Sequence, residues 1–182
     1  MQLGVPAVTD ERSGLLTFLA QQRRIVKAAA YGLTPQQLRT APSASALSVG
    51  GLLKHVAAVE RSWLATVLGQ PSTRPEDESD FVLTDEDTLD SLVADYDAAA
   101  ADTERIVAGA DLGQPVSIPN VDAGWTVRWV LLHLIEETAR HAGHADIVRE
   151  SIDGATTFEL LATAEEWPPM SWITPWQPKE PR

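Results

Sequence analysis

The chain contains no cysteine among its 182 residues, and this absence removes several kinds of chemistry at once. A protein without cysteine has no disulfide, no thiol nucleophile of its own and no thiolate ligand for a metal. Any thiol that reacts here must therefore come from another molecule. The length suits a single domain over residues 1–182 that buries its core without covalent cross-links.

Basic residues are also scarce, because 14 Lys and Arg stand against 26 Asp and Glu, and the net charge is −12. Phosphate backbones and anionic membrane surfaces would be repelled, so we expect neither nucleic acid nor membrane as a partner. No apolar run approaches the roughly 20 residues that cross a bilayer. The start, MQLGVPAVTDERSG, lacks the basic and apolar segments of a secretory signal. The expected location is the cytoplasm.

Apolar residues recur at helical spacing in four long segments, which predicts an all-α four-helix bundle. The predicted helices span roughly residues 10–32, 48–69, 85–110 and 126–152. A short additional helix is expected where Thr34 caps Pro35. Thr84 and Asp87 form a capping-box pattern at the predicted start of the third long helix. The loop before it, QPSTRPEDESD, is rich in proline, serine and acid, so it is expected to be exposed.

The C-terminal residues 155–182 differ in kind from the rest of the chain. Their prolines predict an irregular extension, because proline interrupts a regular helix. Trp167, Trp172 and Trp176 are large and apolar, so they are expected to pack rather than to stand in water. We expect a Pro/Trp-rich strap across the bundle, and the alternative is a lid over a pocket.

Three of the chain's four histidines lie in one short stretch, HLIEETARHAGHAD. At 100° per residue, His133, Glu137, His141 and His144 fall within roughly 80° of one another around the last helix. The preceding segment WTVRWVLLHLIEE is apolar, so this face is predicted to be buried, where an unpartnered imidazole or carboxylate costs several kcal/mol. A divalent metal would satisfy several of these groups together, and zinc, nickel and iron prefer such ligands.

The fourth histidine, His55, lies midway along the second long helix. A histidine there, with two donors four residues apart on the last helix, would give three ligands and leave coordination positions open, as in catalytic sites. Glu137 could instead orient a ligating imidazole, and His133 by itself is expected to be a hydrogen-bonded core residue. Glu60 and Arg140 are expected to form a buried salt bridge, and the alternative is that they support the ligands.

Several other catalytic patterns are absent from the sequence. There is no H-E-x-x-H motif, and neither Glu136 nor Glu137 has a histidine three residues on, as the di-iron bundles require. No G-x-S-x-G motif and no phosphate-binding loop occurs.

Two segments, LSVGGLLKHVAAVERSWL and WTVRWVLLHLIEETARHAGHADIVRESIDG, resemble the DinB/YfiT-like superfamily of metal-binding four-helix bundles. Within that superfamily the chain is most similar to the actinobacterial DUF664-type branch. The resemblance implies one metal bound by a histidine of the second helix and two histidines, four apart, of the last helix. It places the first ligand on His55 and the last on His141. The middle position holds Glu137, so either Glu137 is a ligand or His144 is recruited.

The members of this superfamily whose chemistry is known are similar to thiol-dependent S-transferases and isomerases, and the thiols they use are glutathione, bacillithiol or mycothiol. The resemblance therefore implies a metal-dependent thiol S-transferase that conjugates mycothiol, or a similar low-molecular-weight thiol, to a small electrophile. Zinc is the first expectation for the metal, with nickel, iron or manganese as alternatives. The resemblance also implies a homodimer.

Two other functions remain open at this point. One is a metal-binding or stress-related dimeric bundle without turnover. The other is a structural helical domain whose polar stripe is only a buried hydrogen-bond network.

Overall fold

The computed structural model describes residues 4–72, 74–75, 77, 79–118, 124–168 and 170–178. Its helices are α1 (Glu11–Ala30), α2 (Pro35–Leu38), α3 (Val49–Val67), α4 (Leu89–Gly109), α5 (Val127–Asp153) and α6 (Thr157–Ala164). A 3₁₀ turn covers Ser79–Phe81, and the described residues contain no β-strand. The all-α fold class is confirmed. Within these ranges, none of the helices combines the length and the apolar composition that crossing a bilayer requires.

The four long helices form the bundle. Helix α5 packs against α1 and α3, and α3 also packs against α4. Fully buried apolar side chains from all four helices fill the interior, among them Val26, Leu53, Tyr96 and Ala145. The candidate site lies between α3 and α5.

The predicted starts of α3 and α5 are confirmed by side-chain caps. Ser48 Oγ accepts a hydrogen bond from the amide of Gly51 at 3.1 Å, and Thr126 Oγ1 accepts one from Trp129 at 3.3 Å. Such caps satisfy amides that have no partner inside the helix. Helix α5 is terminated by Gly154, whose φ of 77° is the left-handed conformation that glycine adopts readily.

The predicted start of the third long helix was wrong by four residues. Helix α4 begins at Leu89, with Thr88 as its cap, rather than at Asp85. Thr84 does bond to Asp87, at 2.7 Å from its amide to Oδ2, but the two form a separate turn. Lys54 Nζ also binds Asp87 Oδ2, at 2.8 Å, and this contact from α3 anchors the turn before the helix begins.

The C-terminal extension was predicted to be irregular, but it begins with helix α6. The first proline of this region is Pro168, so nothing interrupts the helix before its end. Glu159 Oε2 accepts a hydrogen bond from the amide of Thr156 at 2.9 Å and stabilises the first turn. Residues 169 and 179–182 of the predicted strap lie outside the described residues.

The three strap tryptophans differ in burial. Trp167 is buried against α6, and the guanidinium of Arg149 lies 4.9 Å from the ring centroid of Trp176. The indole of Trp176 fits against Gly32, where a Cβ would overlap it. Trp172 is 59% exposed, so the expectation that all three pack was wrong for this residue. The strap covers the end of α1 and the last turns of α5.

The start of α3 lies unusually close to two other segments. A Cβ at Gly50 would meet the backbone oxygen of Leu38 at 2.8 Å, and a Cβ at Gly51 would overlap the carbonyl oxygen of Phe81. Glycine at these positions lets the 3₁₀ turn pack directly on the helix. Gly50 and Gly51 therefore lie in the first turn of α3 and also allow neighbouring segments to approach its backbone closely.

We predict that Gly51→Ala lowers the free energy of unfolding by about 1–3 kcal/mol, because the 3₁₀ turn must move to admit the new methyl group. Gly143→Ala is the matched control, since a Cβ there meets nothing within 4 Å. Alanine is the better helix former by about 1 kcal/mol, so the control is expected to be neutral or stabilising. Urea unfolding of both variants checks the prediction, and equal stabilities would contradict the close contact.

Candidate metal centre

Three donor side chains converge between α3 and α5. The Oε1 atom of Glu137 lies 3.5 Å from Nε2 of His55 and 3.2 Å from Nε2 of His141. One ligand atom from each of the three residues can be chosen so that all lie within 4.8 Å of one another. The two imidazole ring centroids are 4.6 Å apart, although the two histidines lie on different helices, α3 and α5.

The local structure explains this convergence. Glu137 and His141 are four residues apart on α5, so their side chains lie on one face about one turn apart. The same face packs against the middle of α3, where His55 is only 2% exposed. His141 is 8% exposed and the Glu137 side chain 19%, so the cluster is enclosed on the His55 side and more open at the carboxylate.

A fourth polar residue, Asp80, was missed by the sequence analysis. Its Oδ2 atom lies 3.0 Å from Nδ1 of His55 and also accepts a hydrogen bond from Nε of Arg74 at 2.7 Å. Asp80 is the last residue of the acidic loop that was predicted to be exposed, yet it is only 4% exposed, so that prediction was wrong at this position. When Nδ1 of His55 carries the proton, it donates to Asp80, and the lone pair of Nε2 is directed to Glu137.

The ring of Phe81 lies parallel to that of His55, with centroids 3.7 Å apart and an angle of 15°. Phe81 follows Asp80 in the 3₁₀ turn, so one short segment holds the His55 ring by a hydrogen bond and by a stacked face. The apolar residues that follow the acidic run, Phe81 and Leu83, were the available signal that this end of the loop packs on the bundle.

Burial is the main influence on the titration of the two imidazoles. It lowers the pKa of His55, and the attraction of Asp80 offsets this only in part. Burial also lowers the pKa of His141, and the nearby His55 lowers it further. Burial by itself would raise the pKa of Glu137, but His141 and His55 outweigh it and the pKa is lowered. Neutral imidazoles and an ionised carboxylate are the forms that bind metals.

His144 and His133 lie outside the three-donor cluster. Nδ1 of His144 is 3.4 Å from Nδ1 of His141, which is the nitrogen opposite the one that faces Glu137. The His133 ring packs among tryptophans, with centroid distances of 4.9 Å to Trp63 and 5.0 Å to Trp129. The expectation of a hydrogen-bonded core residue was therefore wrong for His133: it is half-buried, and its contacts among the described residues are to aromatic rings one turn before Glu137.

The expected pairing of Glu60 with Arg140 was wrong. Arg23 of α1 donates to both carboxylate oxygens of Glu60, and Thr103 Oγ1 of α4 donates to Oε1 at 2.6 Å. Arg140 instead pairs with Glu136, at 2.9 Å, on the solvent side of α5. Glu60 faces the centre of the bundle, where α1 and α4 supply its partners.

The fold and the site define a helical bundle with a His/Glu/His cluster that could hold a divalent cation. The family model described as Mycothiol-S-transferase matches residues 14–154. The chain therefore belongs to the mycothiol-S-transferase family, and the resemblance to DinB/YfiT-like proteins is confirmed.

A crystal structure of a conserved protein from Enterococcus faecalis has a similar fold, with a TM-score of 0.66 and 16% sequence identity. The alignment covers 81% of this chain and 100% of that chain. At this identity the likeness supports the fold alone. No curated protein matches the chain significantly.

We predict that Glu60→Gln lowers the free energy of unfolding by about 3–5 kcal/mol, because it removes the buried charge partner of Arg23 and leaves its guanidinium only the exposed Glu104. Arg140→Gln is the control, since it removes a charge from an exposed helical pair worth at most about 0.5 kcal/mol. Chemical unfolding of the two variants measures both effects. Large losses of similar size in both variants would restore the pairing that the sequence suggested.

Proposed function

We propose that this protein is a metal-dependent S-transferase that conjugates mycothiol to a small electrophile. The observation that carries the proposal is the convergence of two imidazole nitrogens and one carboxylate oxygen inside a member of the mycothiol-S-transferase family. The family supports the thiol, and the donor cluster supports the metal. The predicted cytoplasmic location and homodimer remain predictions.

The donor set fits a divalent metal. Ligand atoms about 2.1 Å from a tetrahedral centre lie about 3.4 Å from one another, and the two separations from Glu137 are 3.2 and 3.5 Å. Nitrogen and oxygen donors of this kind suit zinc first, with nickel, iron and manganese as alternatives. We propose His55, Glu137 and His141 as the ligands, so that Glu137 rather than His144 completes the triad.

A divalent metal bound by His55, Glu137 and His141 would act as a Lewis acid and lower the pKa of the thiol, so that thiolate would be available near neutral pH. The chain's own residues prepare the site for it. Asp80 holds the proton on Nδ1 of His55, and Phe81 fixes the plane of that ring. With Nε2 of His141 unprotonated and facing Glu137, the proton of His141 is on Nδ1, which can donate to Nδ1 of His144. Both imidazoles are thereby oriented before any ligand binds.

We predict that His55→Ala loses stoichiometric zinc, whereas His133→Ala keeps it, because only His55 belongs to the donor cluster. Elemental analysis of both variants after zinc loading and dialysis measures the difference. Equal zinc contents in the two variants would contradict the proposed site. Zinc retained by the wild type, together with no accelerated conjugation of mycothiol to any of a panel of electrophiles, would favour a metal-binding bundle without turnover.

We predict that Asp80→Asn weakens zinc binding about 10- to 100-fold while the three ligands remain, because the amide orients His55 less strongly than the carboxylate. Asp95→Asn is the matched control, since Asp95 forms an exposed ion pair with Arg61. Competition with a chromogenic chelator measures both affinities. An unchanged affinity in Asp80→Asn would show that the Asp80 contact plays no part in holding the metal.

A further inference from the structure

Four aromatic rings form a continuous surface beside the candidate metal centre, which we name the aromatic wall and define as Trp63, Trp125, Trp129 and His133. On α5 and just before it, Trp125, Trp129 and His133 are stacked, with centroids 4.4 and 5.0 Å apart and planes within 14° of parallel. Trp63 of α3 stands at 58–71° to these three rings, with centroid distances of 4.9–5.7 Å.

The aromatic wall and the metal donors lie on adjoining parts of the surface of α5. Trp129, His133, Glu137 and His141 follow one another at intervals of four residues. A rise of 1.5 Å per residue puts His133 about 6 Å along the helix axis from Glu137. The wall therefore ends one helical turn from the most exposed of the three donors.

The wall is half-buried: its three tryptophans pack against the bundle core, and part of its surface is accessible to solvent. All four of its rings are partly exposed, in contrast to the buried Trp167 of the strap. Aromatic area that remains accessible to water is costly, and a contiguous aromatic surface next to a candidate metal centre commonly binds a ligand. The net charge of −12 disfavours an anionic ligand at this surface.

We propose that the aromatic wall binds the flat part of an uncharged aromatic electrophile and so determines which electrophiles the protein prefers. This inference rests on the proposed S-transferase function. Aromatic rings pair favourably in stacked or edge-to-face geometry, and a ring held by the wall keeps its reactive carbon beside the thiol at the metal centre. Trp63 and Trp129 are then specificity-determining residues.

Two α-bromoketones make a matched test, because phenacyl bromide and bromoacetone differ only in a phenyl or a methyl group on the carbonyl. In both, the thiolate sulfur forms a bond to the CH₂ carbon. Bromide leaves with the bonding electron pair, and the thiol proton passes to solvent. After subtraction of the uncatalysed rates, the zinc-loaded wild type is expected to prefer phenacyl bromide in kcat/KM.

Trp63→Leu is expected to reduce that preference about 2- to 10-fold, the range that aromatic pairing supports. Trp63→Phe keeps an aromatic ring and should retain most of the preference. Trp172→Leu is the matched control, since Trp172 is an exposed tryptophan on the strap and should leave the preference unchanged.

A second measurement on the wild type requires neither turnover nor a variant. Acetophenone has the same ring and carbonyl but no leaving group. In ¹H–¹⁵N spectra of the full chain, it is expected to shift the indole N–H signals of Trp63, Trp125 and Trp129. The signals of the three strap tryptophans should not move.

The two tests distinguish failure of the proposed S-transferase function from failure of the aromatic wall as a binding surface. If neither bromoketone reacts faster with the protein, the proposed function fails, and the acetophenone titration still decides whether the wall binds aromatic rings. The inference is overturned if Trp63→Leu leaves the preference unchanged or if acetophenone moves no indole signal of the wall. It is also overturned if Trp63→Leu raises the KM for mycothiol equally with both bromoketones, because the wall would then hold the thiol.

Discussion

Burial of two imidazoles and a carboxylate at one point between α3 and α5 is the constraint on which the rest of the site depends. Each of these groups would be costly to remove from water without partners. In the part of the chain that the structure describes, Asp80 lies at hydrogen-bonding distance from Nδ1 of His55, and His144 lies at hydrogen-bonding distance from Nδ1 of His141. The opposite nitrogens both face Glu137, and this arrangement suits a cation.

The support for this cluster comes from a region distant in sequence. The 3₁₀ turn brings Asp80 and Phe81 to His55, and it can do so because Gly51 admits its backbone to the surface of α3. A separate buried network, built on Glu60 and Arg23, ties α3 to α1. The bundle thus keeps its structural ion pair apart from the polar groups that could do chemistry.

The sequence was sufficient for those features that depend on local periodicity. The stripe on α5 predicted Glu137 and His141 on one face, and caps such as Ser48 predicted where helices begin. Features that depend on contacts between distant segments could not be read in this way. Helical spacing put Glu60 on the buried face of α3 but could not say that α1 rather than α5 would supply its arginine. Composition predicted an exposed acidic loop, because it could not show that the last residue of the loop turns inward to His55.

The most direct test of the account is an anomalous diffraction map of the zinc-loaded protein, recorded at the zinc absorption edge. The account predicts a single strong peak about 2.0–2.2 Å from Nε2 of His55, Nε2 of His141 and a carboxylate oxygen of Glu137. A peak coordinated by His144 in place of Glu137, or one located away from His55, would contradict it.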